Sequence, residues 1–283
     1  MADTHRALVL DLAPAETWAQ FKDQAIFFTN PPDRYGTAFV GKVEGLTGRF
    51  FEMLTVNGGE FFDKNYKPAF NSQVGVDALQ WFVDLYNAKA VPAGTVNYYW
   101  EDLGQAFASG SEAINIDWSG WAAFFNDPAN SKVANNVGIA QAPKGTTGKR
   151  AGWSASHAFS ITKTCDNIPA AVSFLLFMTD FESQMLEART GLLPTRKDAR
   201  AAIVKEFQDN KNTYMSEIMA SFQKSMTEDS FTPPLIPQWL EVSNALWPEL
   251  QAAIVGSKTA KAALDIAAAK ATDIMIDAGL LKK

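Results

Sequence analysis

The 283-residue chain is 47% hydrophobic and 20% charged, the balance of a folded, water-soluble protein rather than a disordered one. Its net charge of −6, with Lys and Arg dispersed, excludes an electrostatic footprint for nucleic acid. No apolar run approaches the roughly 18 residues of a membrane span, and the single cysteine excludes an intrachain disulfide.

That cysteine is Cys165, and only His5 and His157 accompany it, so neither a Cys/His zinc site nor a cofactor is expected. The opening MADTHRALVLDLAPAETW does not read as a secretion signal. Its apolar patch, Ala7–Leu10, is short and has acidic residues on both sides.

In chain order, residues 15–29 predict a helix capped by Thr17, and NPPDRYG (30–36) predicts a turn. YGTAFVG (35–41) predicts a short strand, and 45–56 a helix stopped at Asn57-Gly58-Gly59. Asn71 or Ser72 caps an amphipathic helix whose face is built by Val76, Leu79, Val83 and Tyr86. VPAGTVNYYW (91–100) reads as a loop, 101–110 as a short helix, and EAINID (112–117) as a strand. That strand runs into two tryptophans, Trp118 and Trp121. VGIAQAPKG (137–145) and AGWSASHAFSITKT (151–164) predict two more strands, separated by the polar turn KGTTGKR. Helices follow at about 168–179, 181–190 and 199–225, with GLLPTR (191–196) as a loop between the last two. FTPPLIPQW (231–239) is an extended connector, and helices at about 239–255 and 259–277 close the chain. Strands alternate with helices, so the expected class is α/β.

Catalytic signatures are weak. Gly145–Arg150 lacks the spacing of a phosphate loop, and Gly152-Trp-Ser154-Ala-Ser156 misses the nucleophile elbow, with His157 too near to act as a triad partner. Glu101 and Asp102 open a helix, where the macrodipole alone favours acids, and Glu228/Asp229 is another adjacent pair. Asp117 stays open, because an acid beside tryptophans also suits a glycoside hydrolase. Trp118 and Trp121 by themselves read first as a core corner, with a platform for the apolar face of a sugar ring as the other reading. Tyr98, Tyr99, Trp100, Trp153 and Trp239, all at element ends beside small or amide residues, favour a binding cleft.

The order of segments resembles the extracellular solute-binding proteins of bacterial ABC sugar importers, the broad family that includes maltose-binding protein. RYGTAFVGK, NGGEFFDKNYKPAFNSQVGVDALQWFVDLY, FASGSEAINIDWSGW, AGWSASHAFSITK, FLLFMTDFESQMLEARTGLLPTR and the C-terminal PPLIPQWLEVSNALWPELQ carry the resemblance. It implies a periplasmic-binding-protein type II fold, with two lobes and a sugar or polyol held in a cleft and handed to the permease subunits of an importer. It also implies capture without catalysis, a periplasmic or extracellular-face location, and a monomer when full length.

By position, the resemblance implies that Trp121 stacks on the sugar, with Asp117 and Trp118 bordering the cleft. Gly152 and Trp153 fall near a crossing between lobes, and Gln238 and Trp239 in a returning segment. Glu44 to Arg49 fall in a ligand-facing loop and helix start, and Arg196 is a weaker candidate. The expected lobe assignment is residues 15–153 and 213–283 for the second lobe and 154–212 for part of the first, with 1–14 an unassigned leader. Against the family pattern, the chain is expected to be shortened at its start. A truncated chain without independent function is then an alternative, residues about 158–200 are expected to be less protected than the rest, and sugar binding to be weak.

Overall fold

The computed structural model describes residues 13–154 and 158–282. His157 and most of the SASH stretch therefore lie outside the described residues. The chain divides into two units: Met1–Asp117 with Ala140–Ser154 and Asp229–Lys283, and Trp118–Ile139 with Ala155–Glu228.

The first unit is a layer of helices around one core. α1 (Trp18–Phe28) starts at a capping box, in which the Thr17 hydroxyl accepts from the Gln20 N–H and the Gln20 side chain reaches back to the Thr17 N–H. α2 (Val43–Val56) ends at Asn57, and Gly58 takes φ +84, the left-handed conformation that lets the chain leave the helix. α3 (Gln73–Asn87) is capped by Ser72 and buries Ala78, Leu79, Phe82, Val83 and Leu85. A 3₁₀ turn (Ala93–Asn97) and α4 (Trp100–Ala108) follow. Two C-terminal helices of this unit pack on each other and on α2 and α3; their bounds are given below. Phe50, Leu46, Leu54, Leu79, Leu246, Leu250 and Leu264 are fully enclosed there.

The second unit contains α5 (Ala122–Phe125), α6 (Ile168–Met178), α7 (Phe181–Arg189), α8 (Lys197–Asp209) and α9 (Thr213–Lys224). Its core is smaller: Met185, Ala188, Ala199, Ile203, Phe207, Met215 and Met219. The single helix expected over 199–225 is two helices. Lys211 turns left-handed at φ +56, and the Asn212 side chain caps α9 by accepting from the Met215 N–H. The last two helices, both in the first unit, are α10 (Trp239–Ile254) and α11 (Ala260–Asp277).

The strand expectations need correction. Among the described residues the only strands are β1 (Gly152–Trp153) and β2 (Ser230–Phe231), paired in parallel with Gly152 opposite Ser230 and Trp153 opposite Phe231. The segment 35–41 is extended, but its hydrogen bonds are scattered, some of them to the Thr29 and Thr95 side chains. Tyr35 meets Ser111 and Ala113, Thr37 donates to the Ala90 carbonyl, and Gly41 donates to the Tyr98 carbonyl. Among the described residues, 112–117 meet this segment at the Tyr35–Glu112 bridge and through the Ile114 N–H, which donates to the Gly36 carbonyl, and 137–145 form one isolated bridge, Lys144 beside Thr17. A ladder needs one continuous partner, and an alternating sequence cannot specify that its partners are scattered. No described helix is long and apolar enough to cross a membrane.

Candidate ligand-binding site

The chemistry of the first unit gathers around α2. The sequence EGLTGRFFE places Gly45, Gly48, Arg49 and Glu52 on successive turns. A Cβ on Gly48 would stand 2.1 Å from the Trp153 ring, and one on Gly45 would stand 3.4 Å from the Trp100 ring and 2.4 Å from a Val40 methyl. Gly48, an interior helix glycine costing about 1 kcal/mol against Ala, lets the Trp153 indole lie against the helix, while Gly45 makes room for the Val40 methyl. The rings of Trp100 and Trp153 are 6.4 Å apart and inclined at 43°.

Arg49 lies beside them, 13% exposed, with its guanidinium carbon 5.2 Å from the centre of the Trp100 ring. Its Nη1 donates to Glu52 at 2.8 Å. Its Nη2 donates to the Ile116 carbonyl at 3.1 Å and stands 3.7 Å from the Asp117 carboxylate. Burial alone lowers the basicity of Arg49, but the charges of Glu52 and Asp117 outweigh it, and the net shift is upward. Arg49 thus fastens the end of the 112–117 segment to α2. Glu52 uses its second oxygen to accept the Trp153 backbone N–H at 2.8 Å.

At the start of α2, Val43 holds φ +48, a strained conformation for a β-branched residue. The next residue, Glu44, accepts a short hydrogen bond from the Tyr99 hydroxyl. That bond first, then burial, pushes the Tyr99 phenol up to about 12. Glu112, 3% exposed, has no hydrogen-bond partner for either carboxyl oxygen among the described residues. Burial, and then the charge of Asp117, raises it to about 8, so it is protonated at neutral pH.

Of the residues singled out from the sequence, Glu44, Arg49, Asp117 and Trp153 meet in this network. Among the described residues other than its chain neighbours, none comes within 4 Å of where a Cβ on Gly152 would stand. Gln238 precedes α10 with its Oε1 buried and unpartnered among the described residues. Trp239 packs into the aromatic core, 5.1 Å from Phe61 and 6.0 Å from Phe51. The other three belong to the second unit. Trp118 is 56% exposed and folds over Gly120. Trp121 closes a 3₁₀ turn (Ser119–Trp121), its ring stacked on Phe125 at 6.1 Å and 15°. Arg196 is exposed and bound bidentately by Asp198 at 3.0 and 2.7 Å. Sequence reasoning missed Glu52 and Glu112, and placed Trp100 among the cleft aromatics without joining it to Trp153. Gly48, inside a helix, was the signal that a ring lies against α2.

The sequence profile of the bacterial extracellular solute-binding proteins matches residues 7–185, more than half of the chain. The chain belongs to this family. A mannitol-binding protein of Pseudomonas aeruginosa is 29% identical over 197 residues, which is 67% of this chain and 44% of that protein. Among solved structures, maltose-bound MalE3 of T. maritima superposes with a TM-score of 0.77 at 25% identity, covering 93% of this chain and 66% of that one. An ABC-transporter solute-binding protein of Agrobacterium vitis with bound D-mannitol gives 0.76 at 23% identity, covering 95% and 68%. The chain thus spans less than half the length of the mannitol-binding relative and about two thirds of these structures. The helix-rich α/β fold is that of the periplasmic binding proteins of type II, as the order of segments implied. The family and these neighbours are binding proteins.

Proposed function

We propose that this chain serves as the substrate-binding part of an ABC importer, capturing a sugar or polyol and delivering it to membrane permease subunits outside the cytoplasm. Membership of the extracellular solute-binding family carries this reading, and the maltose- and mannitol-binding relatives give its ligand class. The network around α2 fits capture. Indole faces suit the C–H face of a sugar, and carboxylates and a guanidinium suit its hydroxyls. Its charged groups are locked to one another, as a rigid recognition surface requires, so the proposed activity is binding without turnover. Trp121 is proposed as the stacking ring of the second unit, since Phe125 supports one of its faces.

A thermal-shift panel of D-mannitol, maltose and other neutral mono- and disaccharides tests this. A binder raises the midpoint with ligand concentration, by about 2.7 kcal/mol of stabilisation at a hundred times Kd. No shift with any member at millimolar concentration sinks the reading.

A further inference from the structure

We infer that Glu52 is the positioning residue of this site and that, together with Asp117, it makes the site select against anionic solutes. The inference rests on the capture reading above and adds a charge rule to it.

Glu52 is a carboxylate, 6% exposed, on a helix whose neighbours Phe50, Phe51, Met53 and Leu54 are all core. A charge in that position is tolerated only with full pairing. Both of its oxygens are used, and both partners belong to the site. Oε2 accepts from Arg49 one turn earlier, and Oε1 accepts from the Trp153 N–H across the fold. β1 is only two residues long, so its ladder with β2 gives it little hold. α2 therefore grips residue 153 twice, through the Glu52 carboxylate on its backbone and through Gly48 under its indole.

The same arrangement fixes the electrostatics. One guanidinium stands between two carboxylates, Glu52 at 2.8 Å and Asp117 at 3.7 Å, and its donors are turned toward them and the Ile116 carbonyl. The cluster carries one positive and two negative charges beside the Trp153 ring. A neutral polyol meets no repulsion there, whereas a solute bearing a carboxylate or phosphate meets two carboxylates beside a guanidinium that is already engaged.

Two measurements on the whole chain test this. In the first, emission dependent on Trp153, taken as the difference from Trp153→Phe, is quenched with iodide and with neutral acrylamide. Wild type is expected to resist iodide relative to acrylamide. Glu52→Gln keeps an acceptor for the Trp153 N–H but removes a charge, and is expected to raise the iodide-to-acrylamide ratio several-fold. Asp117→Asn is expected to move it the same way and decides the matter should Glu52→Gln not fold. In the second, calorimetric titrations with D-mannitol and with D-mannonate, its terminal carboxylate counterpart, are expected to show the preference for mannitol narrowing on the order of tenfold in Glu52→Gln. An iodide ratio unchanged in both variants overturns the inference, as does a mannitol preference unchanged in a variant that binds mannitol. Wild type binding no neutral solute while the iodide ratio shifts would remove the capture reading and leave the charge rule standing. Mannitol binding with a flat iodide ratio would do the reverse.

Discussion

Two helices, the more apolar of them the less buried, have opposite fates. α10, in the first unit, buries Val242, Ser243, Leu246, Glu249, Leu250, Ala253 and Ile254 against α2, α3 and α11. α6, in the second unit, has the sequence IPAAVSFLLFM and buries nothing among the described residues. Phe174, Leu176 and Phe177 are each 60% exposed or more. Apolar composition therefore sets what a helix can bury, while its neighbours set what it does bury.

The largest test of that contrast is in the well-packed unit. Leu246→Ala, at a fully enclosed position, is expected to cost roughly 3–5 kcal/mol in urea unfolding. A cost under about 1 kcal/mol would mean that the core around α10 is loose.

Second is the buried acid of the same unit. Glu112 is raised to about 8 in the fold, well above the ordinary glutamate value of 4.5. The protonated form is favoured in the folded state, so its contribution is fully present below about pH 4.5 and is lost as pH rises to about 8. Glu112→Gln, permanently neutral, is expected to remove this slope and to gain on the order of 3 kcal/mol at pH 8. Parallel stability–pH curves for the two proteins would contradict the burial of Glu112 as an acid.

Gly48→Ala is expected to be a smaller change. The new methyl meets the Trp153 ring, and the cost of displacing it, about 1–3 kcal/mol, is partly offset by the roughly 1 kcal/mol that Ala contributes in a helix. A blue- or red-shift of tryptophan emission should accompany it, and unchanged emission together with a gain in stability would refute the contact.

Smallest is the exposed helix. Leu176→Ser is expected to change stability by less than about 0.5 kcal/mol, and the amides of α6 to exchange with solvent faster than those of α10. Equal protection of the two helices by hydrogen exchange would erase the distinction between the units.

The legibility of the chain follows the range of the forces involved. Helices were readable because caps and periodicity are local: Thr17, Ser72 and Gly58 act on residues within one turn. Strands were over-read because EAINID and YGTAFVG alternate whether or not a continuous partner exists. In the site, Arg49 and Glu44 came from the family resemblance and Asp117 and Trp153 also from their own setting beside aromatic and small residues, while the helix glycine that makes room for the Trp153 indole was visible but unused. Glu52 was not readable. A glutamate amid phenylalanines becomes informative only once its partners, Arg49 and a backbone N–H 101 residues away, are known.

By itself the sequence determined most of the helices, the caps at Thr17 and Ser72, the dispersed charge and the ordered set of segments that carries the family. The tertiary structure decided which apolar face is enclosed, why Glu112 holds its proton, and how Glu52 joins Arg49 to Trp153. Those outcomes depend on desolvation and on pairing between distant residues, and neither is a property of any single stretch of chain.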